Sequence, residues 1–201
     1  MNCYTLISLK TMIEEIGEEN AQQILSSFSC KVNRDVEAFL QEKAIDFAKR
    51  NISQTHLVMA PFEGHMAIAG YFTLANKHIQ INEDMISKSL FKRICKFGTY
   101  EAASKICVVS AFLIGQLGKN FAYKKDSLIT GDELLRIAYD KLSIVQDIIG
   151  GKVIYLECED KQKLRDFYES NGFCIFGERP LEAHEDCGYN GKRLLQYLKY
   201  T

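Results

Sequence analysis

Three groups of residues in this chain have types and spacing suited to chemistry. The first is the stretch Lys163-Leu-Arg-Asp-Phe167-Tyr168-Glu-Ser-Asn171-Gly172-Phe173. Leu164, Phe167 and Tyr168 fall at helical spacing on one face, and Gly172 can take the positive φ of a helix C-terminus. A phenol placed this way is a potential proton donor; a packed core tyrosine on an ordinary amphipathic helix satisfies the same pattern. The second group is Glu157 and Glu159. They alternate with Leu156 and Cys158, so a strand there sets both carboxylates on one face. On a cleft wall either could take a proton, directly or through water. At a strand end both could equally be solvated surface charges. The third group is Thr130-Gly131-Asp132, which opens a helix. Free N–H groups and the dipole at such a start favour phosphate. Lys124, Lys125 and Ser127 just ahead of it add charge and a hydroxyl.

Other chemistries lack their residues. Gly-x-Ser-x-Gly is absent and no Ser-His-Asp order is recognisable, which argues against acyl-enzyme chemistry. His56, His65 and His78 lie on or beside a hairpin and read as structural or exposed. His184 and Cys187 form an isolated His-x-x-Cys without the further ligands a metal needs, so no metal is expected. The seven cysteines (Cys3, Cys30, Cys95, Cys107, Cys158, Cys174, Cys187) are odd in number and scattered through apolar segments. Reduced thiols in the cytoplasm fit that pattern better than a disulfide framework. A formal net charge of −1 gives no basic footprint for nucleic acid, and no apolar run is long enough to span a bilayer.

The positioning elements follow from local patterns. With 201 residues, 47% hydrophobic and 25% charged, the chain suits one α/β domain over 1–201. Tyr4–Leu9 reads as a first strand, and Thr11–Leu25 as a Glu-rich helical stretch interrupted near Gly17. Asn33 is a fitting N-cap for a helix to Arg50 with Val36, Leu40, Ala44 and Phe47 as its buried stripe. His56–Ala60 and Met66–Leu74, joined through the turn chemistry of Pro61-Phe-Glu-Gly64, form a hairpin that residues 77–82 extend. Met85–Phe97 is a short helix with Lys88, Lys92, Arg93 and Lys96 outward. Ile106–Ile114 is a central strand buried on both faces. The helix Gly131–Asp147 ends at Gly150-Gly151. Strand Val153–Cys158, the helix around Tyr168 and strand Phe173–Phe176 follow, with a right-handed crossover through the centre. Arg193–Tyr200 alternates enough to be an edge strand.

The strand–helix–Gly-Phe–strand unit with its aromatic pair resembles the second half of the GNAT acyltransferase fold. Gly115-Gln-Leu-Gly118 through Gly131-Asp-Glu-Leu-Leu135 resembles that superfamily's acetyl-CoA motif. The family carries a strand ending in a bulge, a loop of the form Gln/Arg-x-x-Gly-x-Gly/Ala, then a helix. Aligned on Gly131 and Leu134-Leu135, the loop falls on Asp126-Ser127-Leu128-Ile129-Thr130-Gly131. Only the last glycine is kept: Asp126 stands at the Gln/Arg place and Ile129 at the first glycine. Phe28-Ser-Cys30, Val36-Glu-Ala-Phe39-Leu40 and Gly70-Tyr-Phe-Thr-Leu74 are similar to a subgroup that includes acetyltransferase toxins acting on aminoacyl-tRNA. The resemblance spans nearly the whole chain.

The resemblance implies an α/β (α+β) fold with a mixed central sheet, splayed at the acetyl-CoA site and flanked by helices. It implies an N-acetyltransferase that moves an acetyl group directly from acetyl-CoA, its cosubstrate, to a primary amine. Cofactor contacts fall on Gln116, Leu117, Gly118 and Lys119 at the bulge, where the strand parts from the one beginning near Val153. They continue on Lys124, Lys125, Asp126, Ser127, Leu128, Ile129, Thr130, Gly131 and Asp132 around the pyrophosphate, and on Lys161 and Phe167 beside the second helix. Tyr168 takes the place of the phenol that protonates the departing thiolate; the resemblance does not fix the base, for which Glu157 is the candidate taken here with Glu159 left open beside it. Two other functions fit the same fold: a CoA-binding protein without turnover, and a toxin acetylating aminoacyl-tRNA. The acceptor is unassigned, tRNA enters only in the toxin reading, no membrane is involved, and a homodimer is compatible with the sequence.

Overall fold

The structure is a computed structural model that describes residues 4–123, 128–181 and 193–201. Eight strands are β1 (Thr5–Ser8), β2 (Gln54–Phe62), β3 (His65–Asn82), β4 (Gly98–Glu101), β5 (Ile106–Lys119), β6 (Val153–Glu159), β7 (Cys174–Pro180) and β8 (Arg193–Tyr200). The α-helices are α1 (Leu9–Ile16), α2 (Glu18–Leu25), α3 (Arg34–Ala38), α4 (Ala44–Lys49), α5 (Lys88–Ile94), α6 (Gly131–Ile149) and α7 (Gln162–Ser170). Hydrogen bonding orders the strands β1-β2-β3-β5-β6-β8-β7, with β4 beside β5. The chain divides into two units, Met1–Ala75 with Gly115–Asp140 and Asn76–Ile114 with Lys141–Thr201.

In the first unit, β1, β2 and β3 form an antiparallel meander. Its hairpin turns on Glu63 and Gly64, both at positive φ (46° and 84°), which matches the twist of paired strands. Pro61 and Phe62, expected in the turn, remain in β2. The break near Gly17 falls where expected, between α1 and α2. Asn33 caps α3 as expected, its Oδ1 accepting from the N–H groups of Asp35 and Val36. The expected single helix to Arg50 instead carries a π-helical turn, Phe39–Lys43, between α3 and α4. Val36, Leu40 and Ala44 are buried, and with Leu9, Leu25 and Phe28 they enclose Leu57, Ile68 and Tyr71 of the strands.

In the second unit, β4 is antiparallel to β5, and β5 is parallel to β6 at Phe112↔Ile154 and Leu113↔Tyr155. Strand β4 was not anticipated. Two further expectations are corrected. The run Ile106–Ile114 is not buried on both faces: Cys107, Val109 and Ala111 are buried, Ser110 is exposed and its hydroxyl donates to Asn76 Oδ1, and Ile106, Val108 and Leu113 are half-buried. β8 is not an edge strand but is inserted antiparallel between β6 and β7. Burial of Leu194, Leu195, Tyr197 and Leu198 on both of its faces is the physical reason. The helix expected over 85–97 is α5 followed by one 3-10 turn, with its four basic side chains exposed. Gly150 (φ 76°) and Gly151 (φ 103°) end α6.

Candidate active site

The first unit contains β5's end and α6's start. Gln116 and Gly118 point to one face of β5. A Cβ on Gly118 would lie 2.3 Å from Val36 Cγ1, so the missing side chain is what lets α3 close onto the strand. The closure is fixed from a second side: the buried Tyr71 hydroxyl donates to the Val36 carbonyl at 2.5 Å. One residue earlier on α3, the Asp35 carboxylate accepts from Gln116 Nε2 at 2.9 Å. Gln116 is held at its backbone too, its N–H donating to Thr73 Oγ1 at 2.8 Å.

Asn120, 1% exposed, completes this end of the strand. Its Oδ1 accepts from the N–H groups of Ser29 and Ala122, its Nδ2 donates to the Ile68 carbonyl, and its own N–H donates to Ala69. A buried amide with both ends satisfied fixes the segment before α3 against the end of β5. Lys119 lies 5.4 Å from the centre of the Phe121 ring.

At the start of α6, Thr130 and Glu133 form a reciprocal capping box. Thr130 Oγ1 accepts from the Glu133 N–H at 3.1 Å, and Glu133 Oε2 accepts from the Thr130 N–H at 2.9 Å. The bonds that the Glu133 carboxylate accepts from the Thr130 N–H and hydroxyl hold it below its usual range. Ile129, at the place of a family glycine, is buried and lies against Gly70: a Cβ on Gly70 would be 3.4 Å from Ile129 Cγ2. The loop thus uses an apolar anchor there, with no positive φ among Leu128, Ile129 and Thr130. Leu128 is tied down by the Tyr4 hydroxyl, which donates to its carbonyl at 3.1 Å. Lys124, Lys125, Asp126 and Ser127 lie outside the described residues, as do Cys3, His184 and Cys187.

In the second unit, α7 ends in a Schellman motif. Gly172 (φ 81°) donates to Glu169 and Phe173 donates to Tyr168, which turns the chain from the helix into β7. Tyr168 is 8% exposed and sits among Phe167, Phe173 and Tyr197, with ring centres 5.0, 5.8 and 5.7 Å away. Tyr197 is fully buried and its hydroxyl has no hydrogen-bond partner among the described residues. Burial pushes its phenol up to about 12, so it stays neutral at physiological pH.

Glu157 and Glu159 each have a separate partner. The Arg179 guanidinium donates to Glu157 Oε2 through Nε (2.7 Å) and Nη2 (2.6 Å), and Gln196 Nε2 donates to Oε1 at 2.8 Å. Glu159 pairs with Lys161, the residue just before α7. Sequence reasoning missed Asp35, Asn120, Arg179, Gln196 and Tyr197. Each acts through a partner 22 or more positions away in the cases of Arg179–Glu157, Gln196–Glu157, Asp35–Gln116 and Asn120–Ile68, so no local spacing announces it.

Neither a family model nor a curated protein sequence matches the chain. Solved structures do. AtaT complexed with acetyl-methionyl-tRNAfMet is similar over 96% of this chain and 94% of its own, with 17% identity and a TM-score of 0.61. A tyrosine-to-phenylalanine mutant of KacT is similar over 97% and 94%, with 15% identity and a TM-score of 0.63. AtaTR bound with acetyl-CoA is similar over 96% and 91%, with 17% identity and a TM-score of 0.54. At these identities the likeness is one of fold. The chain has the α+β GNAT fold expected from its sequence, with a mixed sheet of eight strands and flanking helices among the described residues.

Proposed function

We propose that this chain is an acetyl-CoA-dependent N-acetyltransferase acting on a primary amine. The observation that carries the reading is a whole-chain fold likeness to AtaTR solved with acetyl-CoA and to AtaT solved with an acetylated aminoacyl-tRNA. The chemistry is direct transfer. The neutral amine attacks the thioester carbonyl, the C–S bond breaks, and the CoA thiolate takes a proton. Backbone N–H groups of Leu117, Gly118 and Lys119 polarise the carbonyl, and Tyr168 gives the thiolate its proton. Glu157 removes the amine proton through water; Oε1 accepts one bond from Gln196 and keeps a second lone pair for it. Gln116, residues 124–132, Lys161 and Phe167 hold the cofactor, and the pyrophosphate lies over residues 126–131.

The finer acceptor assignment is the α-amine of an aminoacyl-tRNA, supported by the AtaT complex. We place the protein in the cytoplasm, where acetyl-CoA and reduced thiols coexist. The described cysteines, Cys30, Cys95, Cys107, Cys158 and Cys174, are free, and no helix among the described residues is long and apolar enough to cross a membrane. A second reading, CoA binding without turnover, is motivated by the altered pyrophosphate loop, where Asp126 and Ile129 stand at the family's Gln/Arg and glycine places.

Acetyl-CoA at a hundred times its dissociation constant should stabilise the fold by about 2.7 kcal/mol in a thermal melt. Gly131→Glu, which puts a third carboxylate beside Asp132 and Glu133, should abolish that shift. An unaltered shift in the variant sinks the pyrophosphate assignment. Binding without CoA release in the presence of methionyl-tRNA selects the second reading.

A further inference from the structure

We infer that the outer face of α5 binds the phosphate backbone of RNA, with Lys88, Lys92 and Lys96 as its cations and Phe97 as a ring on which a base stacks. Ser87 starts the helix, its Oγ accepting from the Leu90 N–H. Phe91 and Ile94 enter the core cluster that holds Ile79, Ile81 and Val109. Their burial turns the opposite side outward. There Lys88, Lys92 and Lys96 recur every four residues, all exposed, about 6 Å apart along the axis. Arg93 is exposed beside them, its guanidinium 4.2 Å from the centre of the Tyr200 ring. Phe97, 53% exposed, lies 6.3 Å from the same ring. All of these residues belong to the second unit.

An ordinary solvated helix face offsets its charges with neighbours of opposite sign. This one does not. Residues 85–100 hold four cations and no carboxylate. The acids just before them are engaged with other groups: Glu83 accepts from the Tyr100 hydroxyl at 2.8 Å and pairs with Lys105 at 3.3 Å, and Asp84 pairs with Lys105 at 3.8 Å. Among the described residues, none of the four cations forms an ion pair. The net charge of −1 therefore conceals a local excess of positive charge. Like charges at four-residue spacing repel each other, and a polyanion relieves that repulsion. Lysines neutralise phosphates as point charges and release the counterions around them. Aromatic rings set among cations add base stacking, which tolerates any sequence. A bilayer fits less well, because a helix lying in a membrane needs an apolar face and α5 keeps Phe91 and Ile94 buried. Such a face suits the body of an aminoacyl-tRNA acceptor, and it binds RNA whether or not acetyl transfer follows.

Fluorescence anisotropy of labelled, deacylated tRNA between about 50 and 200 mM salt measures the binding. Replacing Lys88→Gln, Lys92→Gln and Lys96→Gln together should raise Kd about tenfold or more. The slope of log Kd against log salt should fall by about 2–3, close to one per lost phosphate contact. A control triple, Lys10→Gln, Lys49→Gln and Arg50→Gln, removes the same charge at residues already bonded to Asn51, Glu18 and Asp46. It should match wild type within about twofold. Phe97→Ala should weaken binding about fivefold or more and leave the salt slope unchanged, because stacking releases no counterions. Thermal midpoints and the shift caused by acetyl-CoA should stay at wild-type values in every variant, which separates lost binding from a lost fold. An unchanged Kd and slope in the α5 triple overturns the inference, as does an equal loss in the control triple. Wild-type binding to phosphatidylserine vesicles or polyglutamate as tight as to tRNA reduces the face to a general charged surface and overturns it too. If the α5 triple loses tRNA binding while the wild-type protein transfers no acetyl group, the RNA face stands and only the transferase reading falls.

Discussion

Tyr168 carries the sharpest single-residue prediction because its surroundings separate packing from chemistry. Its ring is wedged against Phe167, Phe173 and Tyr197, contacts that Tyr168→Phe preserves. Only the hydroxyl is lost, and protonation of the thiolate matters only as the C–S bond breaks. The loss should therefore appear in kcat, roughly a hundredfold or more, with acetyl-CoA affinity little changed. A variant with wild-type kcat on its acceptor would make Tyr168 a packing residue. The position of this tyrosine was legible because Gly172 marks the helix end and fixes which side chains share the last turn. The partners of Glu157 were not. Arg179 and Gln196 approach it from two other strands, and nothing within a few residues of Glu157 encodes that register.

At the scale of elements, local chemistry and long-range pairing differ in how much they reveal. Asn33, Gly17, Glu63-Gly64 and Gly150-Gly151 each impose a conformation on their own neighbours, and the caps, breaks and turns they mark fall where they were expected. Strand order depends instead on which faces must be buried. The pairs Leu194-Leu195 and Tyr197-Leu198 put apolar side chains on both faces of β8, a pattern of interior position that a looser reading of alternation obscured. The packing of α3 on β5 yields a prediction of its own. Gly118→Ala introduces a Cβ 2.3 Å from Val36 Cγ1, closer than any real contact allows. Either α3 lifts away or β5 shifts, at a cost of about 1–3 kcal/mol. The same movement stretches the bond from Gln116 to Asp35. Urea titration should show a lower midpoint at an unchanged slope. A midpoint equal to wild type would mean that the close approach of α3 is not needed for stability.

The whole molecule has a pH dependence written into its buried acids. Burial pushes the thiols of Cys107 and Cys158, normally near 9.0, up to about 12; in Cys107 a bond with Cys95 acts in the same direction. Burial also pushes the phenols of Tyr155 and Tyr197, normally near 10.0, up to about 12. In the unfolded chain these groups release their protons from about pH 9 upward, while the folded protein keeps them. The native state then binds more protons than the unfolded one, so stability falls as pH rises. The contribution is complete below about pH 9 and is lost progressively toward pH 12. Thermal midpoints should be level between pH 6 and 8 and decline steadily from pH 9 to 11. Tyr197→Phe isolates one term. Its hydroxyl is buried without a partner among the described residues, so its removal should cost little or even stabilise at pH 7. The variant's decline above pH 10 should be shallower than wild type's, because one proton fewer is released on unfolding. If the two pH profiles run parallel, the Tyr197 phenol ionises alike in both states, and its burial contributes nothing to the alkaline limit of the fold.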